Sequence, residues 1–182
     1  MADDKLLDIR GLYTQYNTDE DTVYSVNDLS LSLGRGRTLG LVGETGAGKT
    51  TTCLSILRLL PSKIGEITKG EIIFDGKNLL ELPEEEMRHI RGNDIAMIFQ
   101  DPLSSLNPVF TVGDQIGEAL KYHGKNKNAK DIEARVEEML ELVGLPKERK
   151  DDYPHQFSGG MKQRVVIAMA LACEPKLLLA DE

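Results

Sequence analysis

The chain is short of cysteine, of cationic charge and of long apolar runs, and each shortage removes a class of protein. Its two cysteines, Cys53 and Cys173, lie far apart in helical patterns with no metal-ligand spacing. That excludes a disulfide framework and reads as two buried, reduced thiols in a cytosolic protein. Lys and Arg number 22 against 30 Asp and Glu, a formal net charge of -8. General nucleic-acid binding draws on a basic surface that neutralises phosphates, so nucleic acid is not an expected partner. No apolar stretch reaches the roughly 20 residues of a membrane span, and the start Met1-Ala2-Asp3-Asp4-Lys5 shows no signal peptide. Any link to a membrane therefore runs through partners. Internal repeats and low-complexity tracts are absent. What remains is 182 residues, 40% hydrophobic and 29% charged, a globular composition with room for one domain and a small subdomain.

The most informative stretch is Leu39-Gly40-Leu41-Val42-Gly43-Glu44-Thr45-Gly46-Ala47-Gly48-Lys49-Thr50-Thr51. An apolar run suited to a buried strand breaks into glycines and enters a helical pattern from Lys49 to Leu60. Gly43, Gly48, Lys49 and Thr50 have the spacing of a phosphate-binding loop. Glycines let successive backbone N–H groups converge on phosphates, and the helix start adds its positive dipole end. Lys49 can reach the β- and γ-phosphates, and the Thr50 hydroxyl can ligate Mg2+.

Upstream, Leu6 to Tyr16 and Val23 to Leu33 read as strands around the polar turn Asn17 to Asp21. Tyr16 and Tyr24 can either pack in that sheet, the commoner fate of a strand tyrosine, or stack on a purine ring. Downstream, Lys69 to Asn78 is a strand entering an Asp-Gly turn, Pro83 to Arg91 a short helix, and Ile95 to Phe99 a second buried strand. Val112 to Tyr122 and Ala129 to Val143 are helical, separated by the polar break His123 to Asn128, and Pro146 to Gln156 reads as charged loop. Two readings fit Ser158-Gly159-Gly160: an ordinary N-capped helix, which these residues alone favour, or backbone N–H groups open to an anion. Lys176 to Ala180 is an apolar strand ending in Asp181 and Glu182. Beside a phosphate loop, one such acid can hold Mg2+ through water and the other can deprotonate an attacking water.

Taken in order, Gly43 to Thr50, Gln100, Phe157-Ser158-Gly159-Gly160-Met161 and Leu177 to Glu182 resemble the ATP-binding subunits of ABC transporters. Within that family, Met97 to Pro108 and Tyr153-Pro154-His155-Gln156-Phe157 look like the dipeptide/oligopeptide (and nickel) import branch. The resemblance implies an α/β P-loop NTPase of the ABC type: a mixed sheet core, an antiparallel β subdomain and a helical insert. It divides the chain into a nucleotide-binding core over 1–100, a helical subdomain with the signature over 101–165, and a return to the core over 166–182. It places ATP on Lys49 and the backbone of Gly46 to Thr51, with Tyr16 stacking on adenine in preference to Tyr24. Mg2+ falls to Thr50, Gln100 and, in the second shell, Asp181, and Glu182 becomes the general base. Ser158, Gly159 and Gly160 would close over ATP on a second subunit in a head-to-tail pair.

The implied partners are transmembrane permease subunits, met by the loop from Gln100 and the helical insert, and indirectly a substrate-binding protein. The implied location is peripheral, on the cytoplasmic side of the membrane, and the implied function is ATP hydrolysis that powers peptide import. Met161 stands where many relatives have glutamine. The family pattern also continues beyond Glu182 with an aspartate loop, a switch histidine and further strands, and none of His89, His123 and His155 takes that histidine's place. The chain is therefore expected to be an N-terminal fragment with a truncated core and little or no turnover. Two alternatives are a non-transport ABC-type ATPase of DNA repair or chromosome organisation, and a module that only binds nucleotide.

Overall fold

A computed structural model describes residues 4–101, 104–123 and 128–181. They form two units, residues 1–87 and 88–182, and the boundary falls within a short helix. Among the sequence expectations, Glu182 and the residues 102–103 and 124–127 lie outside the described set.

In the first unit, β1 (Lys5–Asn17) buries Leu6 to Ile9 in succession, and β2 (Thr22–Gly34) alternates leucine with serine over its second half. Thr18 closes the turn between them: its Oγ donates to Asp21 O at 2.7 Å and accepts from Asp21 N at 3.0 Å. With β3 (Gly65–Phe74) and β4 (Lys77–Asn78) they form an antiparallel sheet in the order β2-β1-β3-β4. Leu7, Ile9 and Leu12 of β1 are buried, as are Ile72 and Phe74 of β3. Helix α1 (Lys49–Leu57) packs on β1 and β2 and buries Ile56 and Leu57. A buried hydroxyl pair, Thr14 and Ser55 at 3.1 Å, ties strand to helix.

Two expectations are corrected in this unit. The helix ends before Leu60, because Arg58 turns left-handed at φ 52 and its N–H bonds back to Leu54 O and Ser55 O. Arg58 is held there by donating to Leu79 O at 3.2 Å and Leu82 O at 2.5 Å. The apolar run Leu39 to Val42 is not a strand: Leu39, Leu41 and Val42 are 49%, 41% and 94% exposed. A buried strand needs ladder partners as well as apolar side chains, and neither sheet pairs with this run among the described residues.

Helix α2 (Glu84–Ile90) leads into the second unit. There β5 (Ile95–Ile98) and β6 (Leu177–Ala180) pair in parallel, with Ile98 opposite Ala180. Helices α3 (Val112–His123), α4 (Ala129–Leu142) and α5 (Gly159–Leu171) enclose a core that includes Ile116, Val136, Met139, Leu140 and Val165. Asn128 caps α4 by accepting from Lys130 N at 2.8 Å. The span read as charged loop contains two 3-10 turns, Lys147–Asp151 and Pro154–Gln156. The mixture of an antiparallel sheet, a parallel pair and a helical layer is the expected ABC-type α/β class. No helix of the described residues is long and apolar enough to cross a membrane.

The first of these turns carries an ion network with a pH signature. Lys150 donates to Glu133 and, at 2.6 Å, to Glu137. The hydrogen bond from Lys150 holds the Glu137 carboxyl below the usual glutamate range. A depressed carboxyl contributes stability that is complete above its unfolded value, about 4.3, and is lost as pH falls through the lower folded value. Thermal melts between pH 6 and pH 3 are therefore expected to fall more steeply for the natural chain than for Lys150→Met. Parallel curves would contradict that linkage.

Candidate functional site

The glycine-rich loop leads directly into α1. Gly48 is the N-cap at φ 82, and a Cβ there would lie 2.4 Å from Ser25 O, backbone against which nothing can yield. Gly46 has the same φ of 82 but faces open space. Gly46→Ala is therefore expected to cost only the left-handed strain, about 1–2 kcal/mol. Gly48→Ala adds overpacking of about 1–3 kcal/mol and displaces the loop from β2. Melting temperatures of the two variants test this, with Gly48→Ala the lower. Equal melts would contradict the steric account.

Lys49 Nζ donates to Gly43 O at 2.8 Å and Glu44 O at 3.1 Å, so its ammonium lies across the loop's own carbonyls. Ala47 N donates to Glu44 O at 3.1 Å, and Glu44, Thr45, Gly46 and Ala47 are exposed. Thr50 is exposed at the first turn of α1, whereas Thr51 is buried. Thr51 Oγ1 is 2.8 Å from Ser25 Oγ and accepts from Tyr16 OH at 3.3 Å. Tyr16 therefore faces the phosphate-loop helix. Tyr24 pairs across the strands with Gln15. Neighbouring residues of a strand face opposite sides, so Tyr24 lies on the other side of the sheet from Tyr16. Exposed at 67%, it lines a separate cleft with Tyr13 and Lys69. Nothing in the sequence pattern singles out Ser25, which meets both Thr51 and the Gly48 approach.

In the second unit, β5 and β6 run in parallel and end together, which brings the expected Gln100 and Asp181 to one carboxyl edge. That edge is where open α/β sheets receive ligands. Asp181 N donates to Ile98 O at 3.0 Å, and its side chain is buried. Its Oδ2 has no hydrogen-bond partner among the described residues. A buried oxygen without a partner is costly, and a cation or its hydration water would satisfy it. Gln100 is exposed.

The same unit presents Ser158 as the N-cap of α5, its Oγ accepting from Met161 N at 3.4 Å. Gly159 and Gly160 are exposed, with nothing within 4 Å of a Cβ at either position. The start of α5 thus offers uncovered backbone N–H groups. Phe157, buried in the core and covered by the Arg149 guanidinium at 4.6 Å from its ring centroid, fixes where that opening lies.

Comparison with known proteins gives these features a lineage. Residues 26–182 match the ABC transporter family. A probable peptide ABC transporter ATP-binding protein, y4tR of Sinorhizobium fredii, is 52% identical over 98% of this chain and 54% of its own length. The dipeptide transport ATP-binding protein DppD of Bacillus subtilis is 51% identical over 98% of this chain and 54% of its own length. The chain thus spans about half the length of the curated relatives it matches. Among solved structures, the dimeric ATP-binding cassette MJ0796, bound to ADP and Pi in a post-hydrolysis state, superposes with a TM-score of 0.85. That alignment has 27% identity and covers 97% of this chain and 73% of the cassette. On its sequence and its fold, the chain belongs to the ABC transporter family.

Proposed function

We propose that this chain is the nucleotide-handling part of a subunit that hydrolyses ATP to power import of di- or oligopeptides through an ABC transporter. The observation that carries the reading is the loop at Gly43–Thr51, with the Lys49 ammonium laid across its mouth at the start of α1. The names of the peptide-transport relatives support the substrate class. Lys49 and the N–H groups of Gly46 to Thr51 hold the phosphates, and Tyr16 stacks on the base.

The chemistry of the expected donors suits Mg2+. Gln100 and Asp181 Oδ2, which has no hydrogen-bond partner among the described residues, are hard oxygen donors at one strand edge of the second unit. Thr50 is a hydroxyl donor in the first, and Mg2+ takes few protein ligands beside water and phosphate. When bound, the ion would neutralise phosphate charge, with Thr50 and Gln100 as its direct ligands and Asp181 acting through water. Glu182 takes the proton of the water that attacks the γ-phosphate, and Ser158, Gly159 and Gly160 close over ATP on a second ATP-binding subunit, head to tail.

Residues 1–100 and 166–182 serve as the nucleotide core and 101–165 as the helical subdomain. Permease subunits meet the loop from Gln100 and that subdomain on the cytoplasmic side of the membrane, and a substrate-binding protein acts indirectly. The test is uptake of labelled dipeptide by vesicles carrying the full-length subunit with its membrane subunits. Uptake that requires hydrolysable ATP is expected. Turnover stimulated by DNA, with no uptake, would overturn the reading.

A further inference from the structure

We propose that Gln115 is a positioning residue that presets the loop Asn107 to Thr111 for contact with the membrane subunit; this rests on the transport reading above. Gln115 lies on the first turn of α3 and is only 5% exposed. Its carboxamide is used on both sides. Oε1 accepts from Asn107 N at 2.8 Å, while Nε2 donates to Asn107 O at 3.0 Å, Phe110 O at 3.1 Å and Thr111 O at 3.4 Å. A carboxylate cannot supply the donors, and a thioether has no donor and only a weak acceptor. Glutamine is the side chain that both accepts and donates here.

The loop is pinned at both ends as well as at its middle. Leu106 is buried in the core of the second unit. At the other end, Thr111 Oγ1 accepts from Asp114 N at 3.1 Å and donates to Asp114 Oδ2 at 2.8 Å, and Asn107 Oδ1 accepts from Val109 N at 3.1 Å. Yet the tip that all these bonds fix carries its apolar side chains outward, Val109 at 71% and Phe110 at 52% exposed. A buried polar fork that orders a loop adds nothing to the core when the loop's own apolar residues stay in water. It lowers the ordering cost of a contact made by that tip, which is the effect of preorganisation. Helix α3 also packs against α5, whose first turn bears Gly159 and Gly160. Gln115 thus fastens the tip to the helix layer that carries the signature.

The test compares Gln115→Met, a Val109→Ser/Phe110→Ser pair and all three changes together in the full-length subunit. Three readouts apply: ATP hydrolysis by the isolated subunit, peptide-stimulated hydrolysis with its membrane subunits in vesicles, and amide exchange. Gln115→Met is expected to leave kcat and KM of the isolated subunit within about twofold. It should lower the peptide-stimulated rate about tenfold, and the triple variant should lose no more than the paired one, because both act through one contact. Amides of Asn107 and Val109 should exchange about tenfold faster, with α3 unchanged. Multiplying losses, an equal fall in the isolated subunit's rate, or unchanged exchange would each overturn the proposal. A natural subunit that shows ATP hydrolysis but no peptide stimulation would instead overturn the transport reading, with the exchange result still deciding whether Gln115 sets the loop.

Discussion

Lys49→Ala is expected to weaken Mg-ATP binding by about 10²-fold. A hydrogen bond to a charged group contributes a net ~1.5–3 kcal/mol, and tenfold in Kd corresponds to about 1.4 kcal/mol. The Lys49 ammonium gives up its bonds to Gly43 O and Glu44 O when it turns to phosphate, so one to two such bonds, rather than three, measure the net loss. Alanine also removes the only side chain seen bonding those two carbonyls among the described residues, so part of the loss comes from a less ordered loop. Lys49→Arg separates the two contributions. It keeps the charge, but its planar fork replaces a compact point charge, and an intermediate affinity is expected. Displacement of a fluorescent nucleotide measures all three proteins; equal affinity of the natural chain and Lys49→Ala would contradict the phosphate role.

The acids after β6 should separate cleanly. In the full-length subunit, Glu182→Gln is expected to lower hydrolysis by about 10²–10⁴-fold, the usual contribution of a general base, with ATP affinity retained. Asp181→Asn acts differently, because Asp181 is buried and its Oδ2 lacks a partner among the described residues. Without Mg2+ the amide is expected to be tolerated or mildly stabilising, since a buried carboxylate oxygen with no partner costs about 1–3 kcal/mol or more. With Mg2+ and nucleotide, the natural chain should gain melting temperature and Asp181→Asn should gain little, with a loss of roughly 10- to 100-fold in metal affinity. Identical Mg2+ shifts in both proteins would place the ion elsewhere.

Parts of the molecule are legible in its sequence. The phosphate loop is, because glycine freedom, Lys49 and the start of α1 are all set within a few residues. The helical layer is too: Ile132, Val136, Met139 and Leu140 recur at helical spacing and are all buried. Leu39 to Val42 misled, because a strand is decided by distant partners and apolar character alone does not supply them. The early end of α1 depended on Arg58 reaching Leu79 O and Leu82 O, a contact across 24 positions at its longest. That Tyr16 and Tyr24 lie on opposite faces depends on the strand register, which no local pattern displays. Gln115 carried no signal at all, since a glutamine in the first turn of an amphipathic helix reads as a solvated position until its buried fork is seen.

The most direct test of the account is a calorimetric titration of Mg-ATP into the natural 182-residue chain. Saturable binding at one nucleotide per chain, weakened when Mg2+ is replaced by a chelator, is the predicted result. Absence of saturable heat from a chain shown by circular dichroism to be folded would contradict the assignment of Gly43 to Thr51 as its nucleotide-binding loop.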